Sequence, residues 1–241
     1  MTTDLPLLCY HGSPGTPADF AVLERELAPR RLLCPVRRGY PVDEADGPEA
    51  LLQGAFTEEA VFCGYSFGGL ACLRDAAARD AGVAAVILIS PYLFPKKAGL
   101  MKRALVGAPG LGKVLLRKKG PQIVEELLQK SSHPRDVPPS YRELAPRLAR
   151  PERLARSVQE REEPGLDGRE ALRRIVAKKT PLALVWGAED QTSSEAEQVA
   201  PVRELIPGLF ERRLDSAGHA LLWTHPAELA SAIGEFLDGM G

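Results

Sequence analysis

The sequence predicts an α/β fold: a mostly parallel sheet of about six strands, helices on both faces, and an inserted helical cap. Three observations predict it. Short apolar runs of strand length alternate with longer segments of helical pattern. The run Val83-Ala84-Ala85-Val86-Ile87-Leu88-Ile89-Ser90 is apolar on both faces, as a central parallel strand must be. From Tyr92 to Lys179 the alternation stops for longer than a loop allows, and proline-punctuated helical segments take its place. The chain therefore divides into a core of residues 1–91 and 180–241 and a cap of residues 92–179.

Taken in order, Leu5 to Tyr10 reads as a short buried strand that runs into the turn-forming loop His11-Gly12-Ser13-Pro14-Gly15-Thr16-Pro17. Asp19 to Leu27 reads as a helix with Phe20, Leu23 and Leu27 on one face, stopped by Pro29. Arg31 to Val36 is the next strand, and Val42 to Phe56 a loop leading into a short helix. Ala60 to Cys63 enters a Gly-rich turn as a strand, and Leu70 to Ala81 leaves it as a helix. The cap opens with a basic half, Lys96, Lys97, Lys102, Arg103, Lys113, Arg117, Lys118 and Lys119. Short helices follow over Ile123–Leu128, Tyr141–Leu148 and Pro151–Glu163, separated by prolines. Beyond it come a strand from Leu182 to Trp186, a helix from Glu195 to Ile206, a strand from Phe210 to Leu214 and a helix from Pro226 to Leu237.

Composition narrows the function. The chain has 241 residues, 44% hydrophobic and 26% charged, with formal net charge −1. That is the balance of an ordinary globule, with no global field to favour nucleic acid or a membrane surface. No apolar run reaches the length of a membrane span. The start, Met1 to Pro6, has neither the basic nor the apolar region of a signal peptide, so a cytoplasmic protein is expected. Cys9, Cys34, Cys63 and Cys72 have no metal-ligand spacing and read as reduced thiols, three of them in strand-like runs.

The chemistry centres on Gly64-Tyr65-Ser66-Phe67-Gly68, a Gly-x-Ser-x-Gly between a strand and a helix. In that context the pattern is a nucleophile elbow: a sharp turn exposes the serine hydroxyl above the sheet edge, and the helix N-terminus faces developing negative charge. A serine hydroxyl needs a base to take its proton and an acid to orient the base. Asp190 follows the Leu182 strand and His219 follows the Phe210 strand, so both lie on loops at the strand C-terminal edge that Ser66 shares. Glu189 and Asp215 compete as the acid, and His225 and His133 as the base. Two N–H donors should hold an oxyanion: Phe67, following the nucleophile, and Ser13, since Pro14 has no N–H. His11 reads as a brace for its loop.

These pieces resemble the α/β-hydrolase superfamily, in the compact form whose His-Gly loop lies near the N-terminus. The resemblance rests on His11-Gly12-Ser13-Pro14-Gly15, Arg38-Gly39-Tyr40, Gly64-Tyr65-Ser66-Phe67-Gly68-Gly69, Gly187-Ala188-Glu189-Asp190 and Gly218-His219. It implies at most one antiparallel edge strand, a helical lid, and Ser66, Asp190 and His219 as catalytic triad. The first strand lies so near the start that the family's usual first two strands are expected to be absent, and Pro35-Val36-Arg37-Arg38-Gly39 has no aspartate where many relatives carry Asp-x-Arg-Gly. A serine nucleophile points to acyl transfer to water on a small-molecule acyl ester, a chemistry that needs neither cofactor nor metal. A thioesterase docking an acidic carrier on the basic cap, and a silent binding module, are the alternatives. Tyr65, Leu93 and Phe94 are the expected substrate contacts, with Leu100, Met101, Leu105 and Tyr141 as further pocket candidates.

Overall fold

The computed structural model describes residues 5–46, 56–96, 99, 110–163 and 167–240. Strands β1 (Leu7–Tyr10), β2 (Leu32–Leu33), β3 (Ala60–Tyr65), β4 (Val83–Ile89), β5 (Leu182–Gly187) and β6 (Phe210–Leu214) form one sheet in the order β2-β1-β3-β4-β5-β6. Every neighbouring pair is parallel. All six C-terminal ends therefore face one edge, where the connecting loops gather.

The period-2 alternation of the strands divides the core into two layers. Val61, Cys63, Tyr65, Ala85, Ile87, Ile89, Ala183 and Val185 bury one face against the helix Pro226–Asp238 and part of the lid. Ala60, Phe62, Val86, Leu88, Leu182, Leu184 and Trp186 bury the other against the elbow helix Phe67–Ala78 and helices Gly168–Ala177 and Ala200–Leu205. Polar β6, FERRL, is only partly buried, as an edge strand can be.

The segment between β4 and β5 that is expected to form the lid differs from its sequence pattern. One helix of 22 residues, Leu111–Ser132, replaces the short segment expected over Ile123–Leu128, and Pro121 does not end it. Proline removes the bond to the carbonyl of Arg117, and both residues lie on the exposed side of the helix. The expected Tyr141–Leu148 segment is two single turns, Pro139–Arg142 and Ala145–Leu148; Pro151–Gln159 continues as a 3₁₀ turn through Glu162. Within the insertion, Gly168–Ala177 was not anticipated. Asp167 caps it through Arg169 N, and Ala171, Leu172 and Ile175 pack it on the elbow helix side of the sheet. Residues 110–163 pack instead at the strand C-terminal edge.

Smaller differences lie at element ends. The strand expected from Arg31 shrinks to two residues. The Asp19 helix begins as a 3₁₀ turn, Pro17–Phe20, before Ala21–Glu26. The Glu195 helix opens with a π turn, Glu195–Val199. Glu44–Asp46 is a 3₁₀ turn, and the expected helix after it, like Leu100, Met101 and Leu105, lies outside the described residues. All four cysteines are free, three of them buried. Among the described residues no helix is long and apolar enough to cross a membrane.

Candidate active site

Ser66 stands between β3 and the elbow helix with φ 54° and ψ −127°, a backbone state that costs a non-glycine residue about 1–3 kcal/mol. The surroundings hold it there. Ser66 N donates to Ile89 O at 3.0 Å, while Ser66 O accepts from Gly69 N and Tyr92 N, each at 2.9 Å. The flanking glycines are required by close approach. A Cβ on Gly64 would lie 2.6 Å from Gly69 Cα and 2.7 Å from Cys72 Cβ, while one on Gly68 would overlap the carbonyl oxygens of Tyr10 and His11. Gly68→Ala is therefore expected to cost about 3 kcal/mol or more in urea unfolding. A variant as stable as the native chain would mean that the Tyr10 and His11 carbonyls can move aside.

The acid and base arrive on two joined loops. Ala188 N donates to Leu214 O at 2.9 Å and Glu189 N to Ala217 O at 2.8 Å, which ties the loop after β5 to the loop after β6. Ala220 N donates to Ser131 O at 2.8 Å, so the end of the long lid helix supports the histidine loop. His219 Nδ1 lies 2.7 Å from Asp190 Oδ2, and Nε2 lies 2.8 Å from Ser66 Oγ. Asp190 Oδ1 accepts from Thr192 N at 2.7 Å and Ser193 N at 2.8 Å. With that carboxylate on Nδ1, the imidazole carries its proton there and presents Nε2 as an acceptor to the serine hydroxyl. The competitors stand elsewhere. Glu189 is exposed, Asp215 is an exposed partner of Arg213, His133 is exposed at the lid-helix end, and His225 contacts Thr224 Oγ1.

In front of Ser66 lies a compact cavity of about 50 Å³. Core residues Ser13, Tyr65, Phe67 and His219 line it, and the lid adds Leu127, Tyr141 and Arg161. Tyr65 and Tyr141 both line it, and the Tyr65 ring lies 5.4 Å from that of His219. Leu93 and Phe94 do not line this cavity. Gln198 Oε1 accepts from Leu93 N at 2.7 Å and Phe94 N at 3.1 Å, drawing both to the other layer of the core. Tyr92, Thr192, Arg161 and Asp19 line it without having been anticipated. Tyr92 alone carried a signal, as the third residue beyond the central strand.

A buried polar network holds the His11–Thr16 loop. His11 Nδ1 donates to Gly12 O at 3.0 Å and Nε2 accepts from Arg37 N at 3.0 Å, while burial and the nearby Arg37 charge push its pKa well below the usual imidazole value. It stays neutral and braces. Arg37 pairs with Glu160 of the lid at 2.9 Å and donates to Gly12 O at 2.8 Å. Tyr40 donates to Glu160 Oε1 at 2.6 Å and accepts from Ser13 Oγ at 3.0 Å. Fully buried Arg153 reaches from the lid to Asp43 and to the carbonyls of Gly15 and Pro41.

Asp19 anchors the same loop by accepting from Gly12 N at 3.2 Å and Thr16 N at 3.3 Å. Burial raises its carboxyl from 3.8 to about 6, although those N–H groups, Arg153 and Arg37 favour the anion. A raised carboxyl stabilises the fold most below its unfolded value, and the contribution is lost as pH rises through about 6. The stability of the native chain relative to Asp19→Asn is expected to fall by about 2 kcal/mol from roughly pH 4 to pH 7.5. Urea unfolding of both proteins at the two pH values reads it, and a pH-independent difference would count against it.

The elbow, the two loops that follow β5 and β6, and the parallel sheet that aligns them define a protein of α/β-hydrolase architecture. The sequence profile of the Alpha/beta hydrolase family matches residues 7–232, and the chain belongs to that family. A search of curated protein sequences found no match. Solved structures match over nearly the whole chain. An esterase from Exiguobacterium antarcticum is 15% identical with TM-score 0.75, covering 97% of this chain and 92% of that one. A thermophilic esterase from Thermogutta terrifontis is 23% identical with TM-score 0.71, covering 98% and 90%. A bromoperoxidase from Bacillus anthracis is 16% identical with TM-score 0.71, covering 98% and 92%. At these identities the likeness is one of fold.

Proposed function

We propose that this protein is a serine hydrolase that cleaves carboxylic esters through an acyl-enzyme. The observation that carries the reading is the hydrogen-bonded series Asp190–His219–Ser66, at 2.7 and 2.8 Å, opening on a small cavity. His219 Nε2 takes the Ser66 proton as Oγ attacks the ester carbonyl, and the carbonyl electron pair moves onto oxygen. The amides of Phe67 and Ser13 hold that oxyanion. Phe67 is the first residue of its helix, so its N–H has no partner within the helix; the Gly12 amide is already taken by Asp19. His219 then returns the proton to the leaving alcohol, and water enters by the same steps in reverse. The esterase neighbours give the ester class independent support.

The test is a panel of p-nitrophenyl esters and matched thioesters graded by acyl length. The compact cavity predicts turnover of the acetyl ester, with kcat/KM falling towards long acyl chains. No hydrolysis of any substrate in the panel would sink the proposal. One observation favours thioesters on a carrier: Arg117, Lys118 and Lys119 are exposed on the lid helix without an ion pair among the described residues. On that reading, kcat/KM for an acidic carrier substrate falls as salt rises, whereas a small neutral thioester is indifferent to it.

A further inference from the structure

Arg161 is the cation of the cavity that the hydrolytic series does not use. It lines the same space as Ser66 and His219, with its guanidinium 5.3 Å from the centre of the Tyr92 ring, another wall of that space. Tyr92 stacks in turn on Phe67 at 6.3 Å. The other arginines here are matched: Arg37 with Glu160, Arg153 with Asp43, and Arg156 with Glu163. Arg161 makes no ion pair among the described residues. Both carboxylates near the site are engaged elsewhere, Asp190 with His219 and two backbone N–H groups, Asp19 with the His-Gly loop. A partly buried guanidinium lining a small cavity is stabilised most by a planar oxyanion that can take two of its N–H donors.

We propose that Arg161 selects the substrate, and that the preferred ester carries a carboxylate within a few bonds of the scissile carbonyl. The inference rests on the esterase reading and deepens it. Arg161 rides on the lid, in the turn Glu160–Glu162, whose Glu160 is locked to Arg37 and Tyr40 of the core. The lid thus holds the selecting charge at a set distance from the nucleophile.

Two pairs of esters, each isosteric and differing in charge, test this, with acid release followed by titration. Ethyl hydrogen succinate against ethyl levulinate places the carboxylate on the acyl side, and acetoxyacetate against acetoxyacetone on the alcohol side. In the native chain, one charged member is expected to exceed its neutral partner in kcat/KM by about ten- to a hundredfold. That ratio should fall to about one in Arg161→Gln and lie between in Arg161→Lys, which keeps the charge but not the fork. No preference in either pair, or a preference that survives in Arg161→Gln, overturns the proposal. Should no ester be turned over at all, the esterase reading fails instead. The inference is then judged by binding: succinate should raise the Tm of Ser66→Ala and leave that of Ser66→Ala/Arg161→Gln unchanged, and equal shifts would overturn it.

Discussion

Ser66→Ala is expected to lower kcat for a p-nitrophenyl ester by about five to six orders of magnitude and to leave the fold intact. The loss is large because no neighbour can take over. The hydroxyl is the group within hydrogen-bond reach of His219 Nε2, and the acyl group has no other attachment point there. The rate that remains comes from the oxyanion donors acting on attack by water. The fold survives because the elbow is held by backbone bonds to Ile89, Gly69 and Tyr92, none of which uses the side chain. Alanine can occupy the same strained backbone, so unfolding in urea should move by less than about 1 kcal/mol. Residual turnover within tenfold of the native rate would remove Ser66 from the chemistry.

Asp190→Asn is expected to lower kcat by about ten-thousandfold. Asp190 Oδ1 already accepts from two backbone N–H groups, so the asparagine oxygen must occupy that position. Its NH₂ group then faces His219 Nδ1 and donates to it. The imidazole must move its proton to Nε2, which then points an N–H at Ser66 instead of a lone pair. The variant keeps its shape and packing and loses its base. The check is kcat at saturating ester beside a thermal melt. A drop below about tenfold would mean that the tautomer is not set by Asp190.

The core and the nucleophile, acid and base candidates were legible because each depends on local pattern. Val83 to Ile89 could be nothing but a buried strand, and the strands before Asp190 and His219 put both loops at the edge where the elbow opens. The lid was less legible. Its long helix carries Gly120 and Pro121, residues that usually end helices, yet Pro121 sits on the exposed side and Gly120 lies where a Cβ would crowd Ala149 O at 2.7 Å. Tertiary packing overrode local propensity there. Leu93 and Phe94 were expected at the pocket because they follow the central strand; a single side chain, Gln198, over 100 residues away in sequence, turns them aside. Arg161 and Asp19 reach the cavity through folds of the lid and loop that no periodicity encodes. The buried Arg37–Glu160 pair spans 123 positions and has no local signature.

The most direct test of the account is labelling by a fluorophosphonate, which reacts fastest with a serine activated by its base. The account predicts one adduct per chain, found by mass spectrometry on the peptide that holds Ser66, formed in step with loss of ester hydrolysis and absent in Ser66→Ala. An unlabelled protein, or an adduct on another residue with Ser66 unmodified, would contradict it.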